Sequence, residues 1–253
     1  MSDQSTAASF EQVCEIESAK PTLVEGLPGH GLVASIAVDQ ITDQLELDHC
    51  GNIASEDFPP VVTFEDGLVQ DLVRVYAGSD PDVMTLESDL ALPPTAFEPL
   101  TECVLEDLAE DFGRAIFLAG APAETEAEIG EVTGVATTEP IKDDLVEAGV
   151  SVPDDPGLVG GITGALVRKC YQADVPAALL IVRSHPFLPD PRAAKSVIEN
   201  ALEPLVEFDI DTTQLEEQAE EIQQRMQQVA QQYQQMAEEQ GAQQQQSPTG
   251  MFQ

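Results

Sequence analysis

Apolar positions along this chain change period several times, and each change marks an element. Leu23 and Val24 open a short apolar run that stops at four turn-formers, Gly26, Pro28, Gly29 and Gly31. The run resumes with Leu32, Ile36 and Val38, with small Ala34, Ser35 and Ala37 between. Residues 23–40 are therefore expected to form a buried strand, a tight loop, and a helix whose small-residue face approaches a sheet closely. Further strands are expected over residues 10–16, 45–53, 83–87, 115–119, 131–136 and 177–182. Asp66-Gly67 is the dipeptide of a two-residue hairpin turn, with a return strand over 68–76. Phe97, Leu100, Val104, Leu105, Leu108 and Phe112 recur at three and four residues, which predicts an amphipathic helix. Thr95 and Glu98 stand at capping-box spacing at its start, and Gly113 ends it. A helix over 139–148 stops at Gly149. Residues 157–172 are a second glycine-rich loop, with Gly160 and Gly161, opening into a helix. Asp190-Pro191 then starts a helix that runs to about Val206.

Strands alternating with helices over residues 20–208 predict an α/β three-layer sandwich with a mixed, largely parallel sheet. We assign 1–208 to this domain. Residues 209–240 have a different character. Leu215, Ala219, Ile222, Met226, Val229, Tyr233 and Met236 are separated by alternating steps of four and three, a heptad seam flanked by Glu and Gln. Two readings fit this helix: one in which it lies on its own domain, and one in which it forms a coiled coil between subunits or a projecting stalk. Residues 241–253 are a Gln-rich spacer ending in Met251-Phe252-Gln253.

Charge changes the picture of the environment more than of the fold. The chain has 253 residues and a net charge of −37, with 47 acidic residues against 10 basic ones. The acid is spread evenly, and 42% hydrophobic residues suffice for a core, so this is not the pattern of a disordered chain. Such a surface repels itself until salt screens it, and at about 1 M the Debye length is only ~3 Å. The composition points to a salt-filled cytoplasm. It argues against nucleic-acid binding, which needs a basic face. The four cysteines, Cys14, Cys50, Cys103 and Cys170, form no CxxC pair and are expected to be reduced thiols. The N-terminus has no basic, apolar signal pattern, and no apolar run approaches the ~20 residues of a membrane span.

Candidate chemistry is sparse. GLPGHG lacks both the GK[ST] ending and the GxGxxG order of phosphate loops, although backbone amides at a helix start attract anions. His30 is a candidate acid/base or metal ligand set in a loop. Arg183, Ser184 and His185 fall at the end of the strongest strand, where open α/β sheets place their sites. Arg168, Lys169, Arg183, Arg192 and Lys195 are half of all the basic residues and fall within 28 positions. They hold an anion, or they pair with neighbouring acid. No catalytic constellation, metal cluster or cofactor motif stands out.

EGLPGHGLVASIAVDQI, GLVGGITGALVRKC and FLPDPRAA together resemble the proteasome assembly chaperone family of archaea over roughly residues 20–206. The resemblance implies a fold similar to the phosphorylase/hydrolase-like sandwich, no catalytic activity, and docking on the proteasome α-subunit ring, with assembly or activation as the role. Archaeal proteasome partners dock through a C-terminal hydrophobic residue, Tyr, any residue. Met251-Phe252-Gln253 is similar, with Phe252 in the Tyr position. The expectation is a cytoplasmic, homo-oligomeric, non-enzymatic chaperone or adaptor without cofactor. The alternative is a phosphorylase, nucleosidase or nucleotide-binding enzyme using the glycine loops and the Arg183/His185 strand end.

Overall fold

The computed structural model describes residues 8–14, 20–226 and 228. The centre of the fold is four parallel strands: β2 (Thr22–Gly26), β7 (Asp82–Ser88), β8 (Arg114–Pro122) and β10 (Ala177–Ser184). Antiparallel strands extend this centre on both sides. They are β1 (Ser9–Gln12), β3 (Asp48–Ala54) and β6 (Val73–Ser79) on one edge, and β9 (Val132–Ala136) on the other. The order is β1-β3-β6-β7-β2-β8-β10-β9. The sheet is thus mixed and largely parallel, since β3, antiparallel to β6, runs in the direction of the central four.

Burial on both faces explains why β2 and β10 read as near-continuous apolar runs. Leu23, Phe117 and Leu179 of adjacent strands join one core cluster with Leu100 and Leu166. The last two belong to α2 (Phe97–Cys103) and α4 (Gly161–Gln172). The alternate residues Val24, Ile116 and Leu180 are equally buried and turn to the other face. There α1 (Val33–Gln44) packs on β2, β7 and β8 and against α5 (Pro191–Val197). Two helical layers therefore enclose the sheet. α3 (Glu139–Glu147) packs on β9 and β10, and α6 (Glu203–Val206) ends the domain. Asp190 caps α5 by accepting from the Ala193 amide at 3.1 Å, as the Asp-Pro start predicts.

Several local expectations need correction. The hairpin forms as β4 (Thr63–Glu65) and β5 (Leu68–Gln70), with Asp66 and Gly67 both at positive φ. Its return strand is not continuous over 68–76: the chain leaves β5 at Asp71 and enters the main sheet only at Val73. The two-stranded unit is a sheet of its own. Thr95 lies in a 3-10 turn and gives no side-chain cap to α2, which continues as a π-helical turn over Val104–Leu108. Cys14 and Cys50 are not free thiols. The antiparallel β1–β3 pairing brings their Cα atoms to 4.5 Å, and a disulfide joins them. Cys103 and Cys170 are free and buried.

The chain divides into two units at Thr212/Thr213. Residues 213–226 are helical, carrying Leu215, Ala219, Ile222 and Met226 of the seam. Val229, Tyr233, Met236 and the terminal Met251, Phe252 and Gln253 lie outside the described residues.

Candidate functional site

Both glycine loops and the end of β10 come together at the carboxyl ends of the parallel strands, where open α/β sheets place their sites. Gly29 is extended, and His30–Leu32 makes a single 3-10 turn with Gly31 at φ 66° and Leu32 at φ 50°. This loop lies directly on the sheet. A Cβ at Gly120 of β8 would fall 2.0 Å from the His30 carbonyl oxygen, and one at Gly31 would fall 2.6 Å from Ser184 Oγ. The Asp190 amide donates to the Gly31 carbonyl at 2.9 Å. The first glycine loop, with Gly26 and Pro28, is held between β8, β10 and the start of α5.

Beneath it sits a residue that the sequence analysis gave no role. Glu25, in β2, is fully buried. Its carboxylate accepts the Leu27 amide at 3.1 Å and the Leu118 amide at 3.3 Å. The Thr163 hydroxyl lies 3.4 Å from each of its oxygens. Thr163 belongs to the first turn of α4, two residues after Gly161. One carboxyl therefore links the two loops. None of these donors is cationic, and burial pushes the Glu25 pKa up to about 8, against the opposing pull of the amides. The available signal was a lone acid between Val24 and Gly26 in an otherwise apolar strand.

The other candidates are engaged locally. Arg183 donates to the Pro122 carbonyl at 3.1 Å. The His185 amide donates to Asp190 Oδ2 at 2.7 Å, while its Nδ1 accepts the Phe187 amide at 3.2 Å. Lys169 pairs with Glu102 at 3.6 Å and Lys195 with Glu199 at 3.7 Å. Arg168 and Lys169 belong to α4, and Arg192 and Lys195 to α5, on opposite faces of the sheet, so these four do not converge. His30 Nε2, Ser35 Oγ and Ser184 Oγ are buried without a hydrogen-bond partner. Among the described residues no group of His, Cys, Asp and Glu is arranged to hold a metal ion. No helix there is long and apolar enough to cross a membrane.

Two large apolar side chains stand out at this edge, among exposed charged ones such as Arg183, Asp154 and Asp155. Leu158, at the mouth of the second glycine loop, is 97% exposed and Phe187, just after β10, is 89% exposed. Gly160 and Gly161 have open space where a Cβ would stand. The arrangement is suited to contact with another macromolecule, because loop backbone is fixed from below and large apolar side chains project from it.

The sequence profile of the PAC2 family matches residues 23–230. The chain belongs to the PAC2 family. The uncharacterized protein MJ0106 of Methanocaldococcus jannaschii is 29% identical over 214 residues, covering 85% of this chain and 87% of that one. Two solved structures share the fold. Pyrococcus furiosus PbaA, described as an archaeal homolog of proteasome-assembly chaperone, superposes with a TM-score of 0.80 at 24% identity, covering 93% of this chain and 97% of that one. Pyrococcus furiosus PbaB, described as an archaeal proteasome activator, gives 0.78 at 22% identity, covering 89% and 99%.

Proposed function

We propose that this PAC2 protein is a non-enzymatic chaperone or adaptor of the proteasome. It binds the α-subunit ring and assists assembly or activation of the core particle. The observation that carries the reading is the use made of the glycine loops. Gly31 and Gly120 serve close backbone packing, Arg183 and His185 are spent on local hydrogen bonds, and the loop tips present Leu158 and Phe187. The descriptions of PbaA and PbaB support the same partner.

In this reading the protein works in the cytoplasm without a cofactor, as a homo-oligomer helped by the seam from Leu215 to Met236. Met251-Phe252-Gln253 supplies the docking peptide. Burying the Met251 and Phe252 side chains in a pocket is worth ~1.5–3 kcal/mol each, and the terminal carboxylate pairs with a cation on the ring. One tail binds weakly, and several tails on one oligomer gain avidity. The test is capture of α subunits in molar salt by the full chain and by a chain lacking the last three residues. Capture by the full chain alone is expected. Equal capture by both rules out tail docking, and capture by neither overturns the proteasome reading.

A further inference from the structure

At the amino-terminal ends of the parallel strands, away from the glycine loops, the surface opens into a groove of about 690 Å³. Lys20, just before β2, and Arg114, the first residue of β8, both line it. A Cβ at Gly113 would fall 3.2 Å from Lys20 Cβ, so the two cationic side chains start from neighbouring backbone. Pro140, Ile141 and Pro176 supply apolar walls, and no Asp or Glu is among the lining residues. In a chain with 47 acidic residues against 10 basic ones, a groove with two cations and no acid runs against the composition. Both cations have partners, and both keep donors. Lys20 Nζ donates to the Glu110 carbonyl at 2.8 Å and has two further N–H groups. Arg114 donates from Nε to Thr22 Oγ1 at 3.1 Å, from one terminal nitrogen to Asp144 at 3.2 Å, and from the other to the Leu205 carbonyl. That leaves it two of its five N–H groups. Thr138, also on the groove, makes no side-chain cap to α3, so its hydroxyl is not spent on the helix.

We infer that this groove binds a small aliphatic carboxylic acid, its carboxylate between Lys20 and Arg114 and its alkyl chain against Pro140, Ile141 and Pro176. Small-ligand sites are of this size, mostly apolar, with a few placed polar groups. A carboxylate offers about four lone-pair sites, which matches the two N–H groups left on each cation. Asp144 already offsets part of the Arg114 charge, so the groove suits a single negative charge better than a phosphate dianion. The net charge of −37 does not keep such an anion out in molar salt. There the screening length is ~3 Å, and an anion responds to the groups it touches. Chloride competes for the same cations under those conditions. Selectivity over chloride then comes from the alkyl chain, roughly fourfold in affinity for each methylene buried.

The test is titration of the full chain with hexanoate in molar KCl, followed by saturation-transfer NMR. Saturable binding is expected, weakening roughly fourfold for each methylene removed toward acetate and absent for hexanol. Lys20→Gln, whose amide can still donate to the Glu110 carbonyl, should weaken hexanoate about tenfold or more at an unchanged melting temperature, while Lys20→Arg retains binding. A second variant, Pro140→Glu, sets a carboxylate on the groove at an exposed position in the first turn of α3, where an acid is tolerated, and should weaken hexanoate to a similar degree. Phe187→Thr, at the opposite end of the sheet, should leave affinity unchanged. No saturable binding of hexanoate overturns the inference, as do equal binding of hexanol and an unchanged affinity in both groove variants. Tighter binding of hexyl phosphate overturns the choice of a carboxylate. Tighter binding of a peptide with a free C-terminal Leu would assign the groove to a protein terminus and overturn the small-molecule reading. The proteasome reading is untouched by any of these results, because the capture assay does not depend on this groove.

Discussion

Thr163 and Glu25 meet across 138 positions of sequence, the hydroxyl equidistant from both carboxylate oxygens at 3.4 Å. The contact ties the start of α4 to the end of β2. Its electrostatic sign gives a prediction. The Glu25 pKa rises from 4.5 to about 8 on folding. Between those values the unfolded chain has lost the proton while the folded chain keeps it. This group's contribution is therefore full below pH 4.5 and lost as pH rises through 8. The slope is about 1.4 kcal/mol per pH unit at most. Many other carboxylates titrate too, so the quantity to measure is the difference in urea-unfolding free energy between wild type and Glu25→Gln. That difference should shift against wild type from pH 5 to pH 8. A constant difference would mean that the carboxyl is ionised in the fold.

Glycine substitutions should separate packed positions from open ones. Gly31→Ala places a Cβ 2.6 Å from Ser184 Oγ at a φ of 66°, and Gly120→Ala places one 2.0 Å from a backbone oxygen. Each should cost about 1–3 kcal/mol or more. Gly160→Ala meets nothing within 4 Å and should be near neutral. Chemical denaturation of the three variants checks this. Equal costs would contradict the use of the first loop for close packing.

Much of the fold was legible because long-range burial left a local trace. The apolar runs of β2 and β10, the Asp66-Gly67 turn and the Asp190-Pro191 helix start each follow from neighbours in sequence. What escaped depends on neighbours in space. The break after Gln70 arises because β5 pairs only locally while β6 joins β3 and β7. Nothing local distinguishes Glu25, because its donors, the Leu118 amide and the Thr163 hydroxyl, come from distant parts of the chain. The basic cluster of 168–195 was close in sequence, yet α4 and α5 carry it to different faces.

The disulfide makes a prediction of its own. Cys14 and Cys50 are 36 residues apart in sequence and close a loop of that size. In the chain-entropy account a loop of this length stabilises by about 3–4 kcal/mol. Thiol titration of the unfolded, unreduced chain should find two groups, Cys103 and Cys170, and four after reduction. Reduction should lower the unfolding free energy by that amount, and Cys50→Ser should reproduce the loss. Four thiols in the unreduced chain would show that Cys14 and Cys50 are not joined.

Salt dependence follows from simple arithmetic on the charges. Even if each of the ten basic residues neutralised a separate acid, 37 acidic groups would keep no cation. Several cations are already committed, Arg74 to Asp89 at 2.5 Å and Arg114 to Asp144 at 3.2 Å among them. Asp89 is held below its usual range by the Arg74 hydrogen bond, so this pair survives in molar salt better than the exposed Lys142–Glu139 contact. The remaining repulsion is relieved only by solvent ions. Screening length falls from ~10 Å at 0.1 M to ~3 Å at 1 M, shorter than the spacing of most surface carboxylates. The melting midpoint should therefore rise steeply between these concentrations and level off above them. Arg74→Met should lower the midpoint at every salt concentration, because it leaves Asp89 without its bidentate partner. Lys142→Met should have a small effect that vanishes in molar salt. A flat midpoint for wild type would mean that local pairing, rather than screening, contains the acid.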